Sequence, residues 1–398
     1  MEAINIGRNS SILLISNGYG EDIIGSKILQ EFLKKRDNIN DIFVLPVVGE
    51  GKAYKSLNVE LVGPVSTLPS GGFARNSLNN LFKDLKAGLL SLTFRQIKAV
   101  RKYGKKADLI IVVGDIYILT LAGMFGGDKI IFLPTAKSEY INGHYQIEKM
   151  IMKKFATIVF PRDKKTANNL QQYGINAKYI GNMMMDCFQV KDVDFFLEDK
   201  SRVVGLLPGS RDEAYDNFLF FLKIIEKVEK ICEINVEYIT AMARNLSLKK
   251  LKDKIEKTNW QVQNLSQKEK NSGIKMIINY PSGKSKIKII YHHFGDVLDK
   301  AEVFIGQAGT ANEQAVGMGK PVIIFPGTGS QFTKKFAGAQ KSLLGDSVKF
   351  VKRRKPDKIA QNLIKILKNK EVYQKMSQTG KKRMGNSGGI KNLVDFLF

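Results

Sequence analysis

Short apolar runs separated by glycine-rich turns and helical patterns recur from end to end of this chain, and that alternation restricts its fold more than any other property. Brief branched apolar runs bounded by turn residues read as strands buried on both faces. Such strands belong to parallel sheets covered by the helices that connect them. In the first half the strand-like runs are 11–16, 42–47, 109–113, 129–133, 157–160 and 177–180, with helical patterns between them, as at 22–35 and 76–103. A polar stretch without a clear period, 186–202, reads as a linker. The alternation restarts with VVGLLP at 203–208 and continues with strands at 236–240, 287–291, 303–305 and 322–325. Residues 249–286 are charge-rich and fit a helix plus a surface insertion, while 358–369 and 371–398 are helical, broken by glycines at 385–389.

A chain of 398 residues exceeds what one core supports. The expectation is therefore an α/β protein of two doubly wound, Rossmann-like domains whose parallel sheets face a cleft. An N-terminal domain would span 1–185 and a C-terminal domain 203–370, with the closing helices of 371–398 crossing back to the N-terminal domain. Ligands of such domains sit at the carboxyl ends of the strands.

Composition narrows the class. Hydrophobic residues make up 43% and charged residues 25%, as in globular proteins. The two cysteines, Cys187 and Cys232, are far apart and suggest a reducing cytosol rather than a disulfide framework. The opening residues hold only a five-residue apolar core before glycines and acids arrive, so no signal peptide is expected. The apolar stretch 109–127 carries Asp115, which would cost about 2.5–3.5 kcal/mol on insertion into a bilayer. A strand, a turn and a helix account for it without that cost. The net charge of +25 implies anionic partners such as lipid headgroups, or else lysines that are merely solvated. Lysine outnumbers arginine and no aromatic-basic motif appears, which argues against specific nucleic-acid recognition.

Four segments could carry chemistry. In SNGYGEDIIG, Gly18 and Gly20 let the backbone approach a ligand after the first strand, and Glu21 and Asp22 open the helix, where they also complement its dipole. The spacing does not match a dinucleotide fingerprint. In VVGDIY, Asp115 directly follows an apolar strand and suits either a general base or an N-cap. In LLPGSRDEAY, Gly209, Ser210 and Arg211 form a strand-to-helix anion cradle in which the guanidinium can grip a diphosphate, although a surface ion pair would explain the arginine as well. In IGQAGTANEQAVGMGKPVIIF, Gly306, Gln307, Gly309, Thr310 and Ala311 form a second cradle whose helix start favours anions. There Glu313 is placed to accept hydrogen bonds from sugar hydroxyls. Gln331 continues that polar loop. Two cradles on one domain fit a nucleoside diphosphate. No metal site is expected: Asp192 and Asp194 form a DxD in the linker, and His292 and His293 lack the further ligands a site needs. Residues 73–106 combine leucines at helical spacing with many cations and could touch a membrane surface, although packing on the sheet is the commoner use of such a face.

LLPGSR (206–211), GQAGTANEQAVGMGKPVIIF (306–325), NGYGED (17–22) and VVGDIY (112–117) together resemble lipid-A-disaccharide synthase. More distantly they resemble the peptidoglycan N-acetylglucosaminyltransferase. Both are inverting glycosyltransferases of the GT-B architecture at the cytoplasmic membrane face. Similarity runs along most of the chain, with strong identity confined to the two C-domain motifs. The first loop lacks the family's fuller glycine-and-acid signature, and Asp115 stands in a different context, GDIY. The resemblance implies a UDP-sugar, of the N-acetylglucosamine type, as substrate with no other cofactor. Glu313 would hold the ribose, and Gly309, Thr310 and Arg211 the pyrophosphate, stabilising the leaving group without a metal. An acceptor hydroxyl on a lipid or lipid-linked sugar would be deprotonated by Asp115, with Glu21 and Asp22 as further catalytic candidates. The location implied is cytoplasmic and peripheral at an anionic membrane face. Two other readings stand beside it: a UDP-sugar 2-epimerase of the same architecture, and a non-enzymatic basic nucleic-acid binder.

Overall fold

The computed structural model describes residues 9–35, 39–64, 88–329 and 332–398. The chain forms two compact units. One comprises Met1–Cys187 with Asn386–Phe398, and the other Phe188–Gly385.

Unit 1 is built on a six-stranded, wholly parallel sheet. In chain order its elements are β1 (Ser10–Ser16), α1 (Tyr19–Leu33), β2 (Ile39–Pro46), β3 (Glu60–Leu61), α2 (Leu89–Gly104), β4 (Leu109–Gly114), α3 (Ile116–Phe125), β5 (Ile130–Pro134), α4 (Gln146–Phe155), β6 (Ile158–Val159) and α5 (Lys164–Gln172). The spatial order is β3-β2-β1-β4-β5-β6. Strand periodicity explains why β1 is apolar at consecutive positions. Ile12 and Leu14 pack with Ile24, Ile28 and Phe32 of α1 on one face, while Leu13 and Ile15 pack with Val100 of α2 and Ile118, Leu119 and Ala122 of α3 on the other.

The last helix, α14 (Gly389–Leu397), completes the first of these faces. Its Leu393 and Leu397 are fully buried there. Asp186 fastens its start, accepting hydrogen bonds from the backbone N–H groups of Gly388 and Ile390. The closing segment therefore divides: α13 (Lys370–Met384) stays with unit 2 and α14 joins unit 1.

Unit 2 holds an eight-stranded sheet. Its elements are β7 (Arg202–Leu207), α6 (Glu213–Ile231), β8 (Val236–Ala241), α7 (Leu248–Ile255), β9 (Gln261–Gln263), α8 (Gln267–Asn271), β10 (Ile274–Asn279), β11 (Lys286–Ile290), α9 (Phe294–Lys300), β12 (Val303–Gly306), α10 (Thr310–Gly317), β13 (Val322–Ile324), α11 (Lys334–Leu344), β14 (Val348–Phe350) and α12 (Pro356–Lys368), before α13. The order is β14-β13-β12-β7-β8-β11-β10-β9, parallel as far as β11, with β10 and β9 antiparallel at the edge.

Several expectations change here. Residues 249–286 hold two strands as well as helices, because IKMIIN alternates well enough to pair with β11 although charged neighbours hide it. The short strands β3 and β14 carry too few residues to show a period. Of 177–180, only Ala177 bridges to Val159. The helix expected over 76–103 is described only from Leu89, since 65–87 lie outside the described residues. Nor is the polar stretch after Cys187 a free tether. Asp296 of α9 accepts hydrogen bonds from the backbone N–H groups of Lys191 (2.7 Å) and Val193 (3.2 Å), and Lys300 pairs with Asp192.

Both sheets run outward from their first strand, then return to add strands on its other side. The reversal falls between β1 and β4 in unit 1 and between β7 and β12 in unit 2. Two loops leave the sheet side by side at such a point, where open α/β sheets bind ligands.

If α14 is part of the first core, Leu393→Ala should destabilise unit 1 by about 2–5 kcal/mol in urea denaturation. A loss below about 1 kcal/mol would show that the terminal helix is not held there.

Candidate functional site

In unit 2 the loops after β7, β12 and β13 are braced to one another. The Gln307 N–H donates to the Leu207 carbonyl at 2.8 Å, continuing the sheet beyond the strand ends. Gly209, at φ 104°, crosses the Gln307 carbonyl so closely that a Cβ there would lie 3.1 Å from it. The Gln307 side chain, almost fully buried, donates through Nε2 to the Phe325 carbonyl, and its Oε1 rests against Gly327. Gln307 thus ties loops together beneath the surface. Gly306 is also set below it: a Cβ at that position would collide with the buried amide of Asn312, and only glycine leaves that space.

The surface of this arrangement is formed by other residues. Ser210, Arg211 and Thr310 are exposed, and Gly209, Gly309, Ala311 and Glu313 are half-buried. The β8 loop supports the first cradle, since Asn245 donates to the Ser210 carbonyl at 2.8 Å, and Asn217 of α6 holds the Pro208 carbonyl at 3.0 Å. Gly309 caps α10, with the Glu313 N–H returning to its carbonyl. The structure therefore brings Gly209, Ser210 and Arg211 to the same sheet edge as Gly309, Thr310, Ala311 and Glu313. Gln331 lies outside the described residues.

In unit 1, the loops after β1 and β4 meet in the same way. Gly114, at φ 149°, leaves room for Asn17, whose Cβ would be 2.7 Å from a Cβ at Gly114. Gly18, at φ 123°, turns the chain into α1, and nothing lies within 4 Å of where a Gly20 Cβ would be. Asp115 caps α3, accepting from the N–H groups of Tyr117 (2.9 Å) and Ile118 (3.4 Å). Of the two roles expected for it, the cap is therefore visible.

Glu21 and Asp22, adjacent in sequence, have opposite surroundings. Glu21 is half-buried and accepts a hydrogen bond from Thr135, at the end of β5, at 2.9 Å. Burial, reinforced by the negative charge of Asp115, raises its pKa. A buried carboxyl held this way is suited to exchanging protons. Asp22 is instead enclosed in the domain. The Ser16 hydroxyl donates to it at 2.6 Å and the Tyr54 hydroxyl donates to Ser16 at 2.8 Å. A Cβ at Gly25 would collide with that tyrosine hydroxyl. Burial pushes the Asp22 carboxyl from the ordinary value of 3.8 to about 6. Glu21 is thus held at the loop edge by Thr135, while Asp22 is set apart inside the domain.

Thr135 and Tyr54 stand outside the segments read from sequence as bearing chemistry, and Ser16, Asn312 and Gln340 fall within such segments without a role of their own. Asn312 lies inside the GQAGTANEQA segment, where its position one residue before Glu313 on a short helix was the only available signal. Thr135 and Tyr54 come from elements distant in the chain. The DxD aspartates are engaged locally, Asp192 with Lys300 and Asp194 with the Phe196 N–H. Among the described residues no group of three His, Cys, Asp or Glu side chains is placed to hold a metal ion.

No family model and no curated protein sequence matches the chain. Solved structures do. A putative UDP-N-acetylglucosamine 2-epimerase from Listeria monocytogenes is similar at a TM-score of 0.59 and 15% identity, over 97% of this chain and 95% of that one. MurG from Acinetobacter baumannii is similar at 0.57 and 12%, over 98% and 99%. UDP-GlcNAc 2-epimerase from Neisseria meningitidis, solved with UDP-GlcNAc, is similar at 0.56 and 14%, over 97% and 99%. At these identities the likeness shows the fold: two Rossmann-like α/β domains of the GT-B kind.

The enclosed Asp22 sets a pH dependence. Its folded pKa is raised, so the folded state holds the proton more tightly, and the contribution of Asp22 to stability is fully present below about pH 4 and is lost as pH rises through about 6. The cost of ionising it in place is about 3 kcal/mol. Asp22→Asn retains an acceptor for Ser16 and should abolish that decline between pH 4 and 6 in urea denaturation. An unchanged slope in the variant would assign the dependence to other groups.

Proposed function

We propose that this protein is an enzyme acting on a UDP-sugar, with the nucleotide diphosphate held by unit 2 and acid–base chemistry supplied by unit 1. The observation that carries the proposal is the braced pair of strand-end loops after β7 and β12. An exposed guanidinium, the first turn of a helix and a carboxylate one turn further in are gathered at one sheet edge. Backbone N–H groups at a helix start and Arg211 match a diphosphate, and Glu313 matches ribose hydroxyls.

Within this reading the reaction is inverting transfer of the sugar, of N-acetylglucosamine type, to a hydroxyl acceptor. The anomeric C–O bond to the diphosphate breaks as the acceptor oxygen bonds to the opposite face of that carbon. Arg211 and the N–H groups of Gly309 and Thr310 stabilise the departing diphosphate. Asp115 takes the acceptor's proton, with Glu21 beside it. Unit 1 also favours a lipid-linked acceptor at an anionic surface, as the resemblance to lipid-A-disaccharide synthase implies. Leu90 and Phe94 on α2, Met124 on α3, and Ile147 and Met150 on α4 are exposed, and Arg95, Lys98, Lys153 and Lys154 lie on the same helices. Of the basic stretch at 73–106, Phe73, Arg75 and the leucines up to 85 lie outside the described residues. Among the described residues no helix is long and apolar enough to cross a membrane.

A second reading is a UDP-sugar 2-epimerase. The likeness to structures described as UDP-GlcNAc 2-epimerases supports it, as does the Glu21–Asp115 pair, which could serve two proton transfers.

In calorimetric titration, Glu313→Ala and Arg211→Ala should each weaken UDP binding on the order of tenfold or more. Unchanged affinity in both would remove the nucleotide from this site. Asp115→Asn, which preserves the helix cap, should bind UDP normally and lose turnover. Full activity in that variant would exclude Asp115 as the base. Incubation with UDP-GlcNAc alone should leave it intact under transfer, whereas acceptor-independent conversion to the 2-epimer would decide for the second reading.

A further inference from the structure

We infer that Gln340 and Asn312 are positioning residues which set the backbone of the Ala308–Thr310 turn for diphosphate. The inference rests on the nucleotide reading of unit 2 and deepens it. Gln340 lies on α11, well away in sequence from the turn it serves, and is 3% exposed. Its Nε2 donates to two consecutive carbonyls, Ala308 at 3.2 Å and Gly309 at 3.1 Å. Its Oε1 accepts from Asn312 Nδ2 at 2.9 Å. That bond fixes which end of the Gln340 amide faces the turn, since only the NH2 end can then serve the carbonyls. Asn312 is wholly buried, and its own orientation is held by the close face of Gly306.

The consequence follows from peptide planarity. In a trans peptide the C=O and the following N–H point in opposite directions. With the Ala308 and Gly309 carbonyls drawn toward Gln340, the N–H groups of Gly309 and Thr310 are turned away from it. Neither N–H has a protein acceptor among the described residues. Two adjacent donors at the start of α10 are then preset for phosphate oxygens, with no cost of turning peptides when the ligand arrives. Phe336 strengthens the hold. It stands one helical turn before Gln340 on α11, and its ring reaches to 3.6 Å of where a Gly309 Cβ would be. One helix therefore presses on the turn with a ring and pulls on its carbonyls with an amide. Neither Gln340 nor Asn312 needs to touch the ligand.

The test uses the full chain with UDP and uridine as probes. Gln340→Met keeps the volume and removes the donor. Gln340→Glu keeps an acceptor for Asn312 and sets a carboxylate against the two carbonyls. Both variants should bind UDP on the order of tenfold to a hundredfold more weakly while uridine affinity stays within about twofold, because only the diphosphate contacts are disturbed. A conservative Asn312→Gln exchange should not restore UDP binding in either. Equal weakening of UDP and uridine, with a lowered melting temperature, would mean that Gln340 only supports the fold and would overturn the inference. Unchanged UDP affinity in both variants would overturn it too. A wild-type protein that binds no UDP would instead overturn the nucleotide reading on which the inference rests.

Discussion

The loop arrangement of unit 2 depends on the reversal of strand order between β7 and β12. It sets β12 directly beside β7 in parallel register, with Gly306 opposite Leu207. Two strands distant in sequence then end at the same edge, and their loops have no intervening strand to share. Side by side, the loops must satisfy their own backbone groups. The Gln307 N–H to Leu207 carbonyl bond, the Gly209 crossing and the Gln307 amide do so. Without that adjacency, the Arg211 cradle and the helix start at Thr310 would be two unrelated anion-favouring turns.

Unit 1 repeats the topology with different chemistry. Its reversal lies between β1 and β4, and Gly114 plays the part that Gly209 plays in unit 2, admitting the neighbouring loop where a Cβ would be crowded. Carboxylates gather at this edge, where the Arg162 guanidinium also donates to the Thr135 carbonyl. Glu21 meets the field of Asp115 and the hydroxyl of Thr135, while Asp22 is turned inward to Ser16 and Tyr54. Successive residues on a helix are about 100° apart, so one side of α1 faces the loops while the next faces the sheet. The corresponding sheet edge thus carries carboxylates in one unit and an exposed guanidinium beside a helix start in the other.

The interior strands were legible because burial on both faces leaves continuous apolar runs. SILLIS, LIIVVG and VVGLLP could be read directly, as could the glycine turns that follow them. Strands at the sheet edges were not. The edge strand QVQ and its neighbour IKMIIN sit among charged residues and join the sheet antiparallel. For the site, residue types were readable where they follow a strand, as with Arg211, Glu313 and Asp115. Their division of labour was not, since Gly306 and Gln307 stand in the same motif as Gly309 and Thr310 yet serve packing beneath it.

The sequence by itself determined the class of fold and the chemistry available at each strand end, because hydrophobic periodicity and turn residues are local properties that survive without a structure. Only the tertiary structure decided which of those groups act together. Gln340 reaches Ala308 and Gly309 across thirty-odd residues, Tyr54 reaches Ser16 across 38, and Thr135 reaches Glu21 across 114. Such contacts are fixed by strand order and by the shape left between packed elements, neither of which is written at any single position.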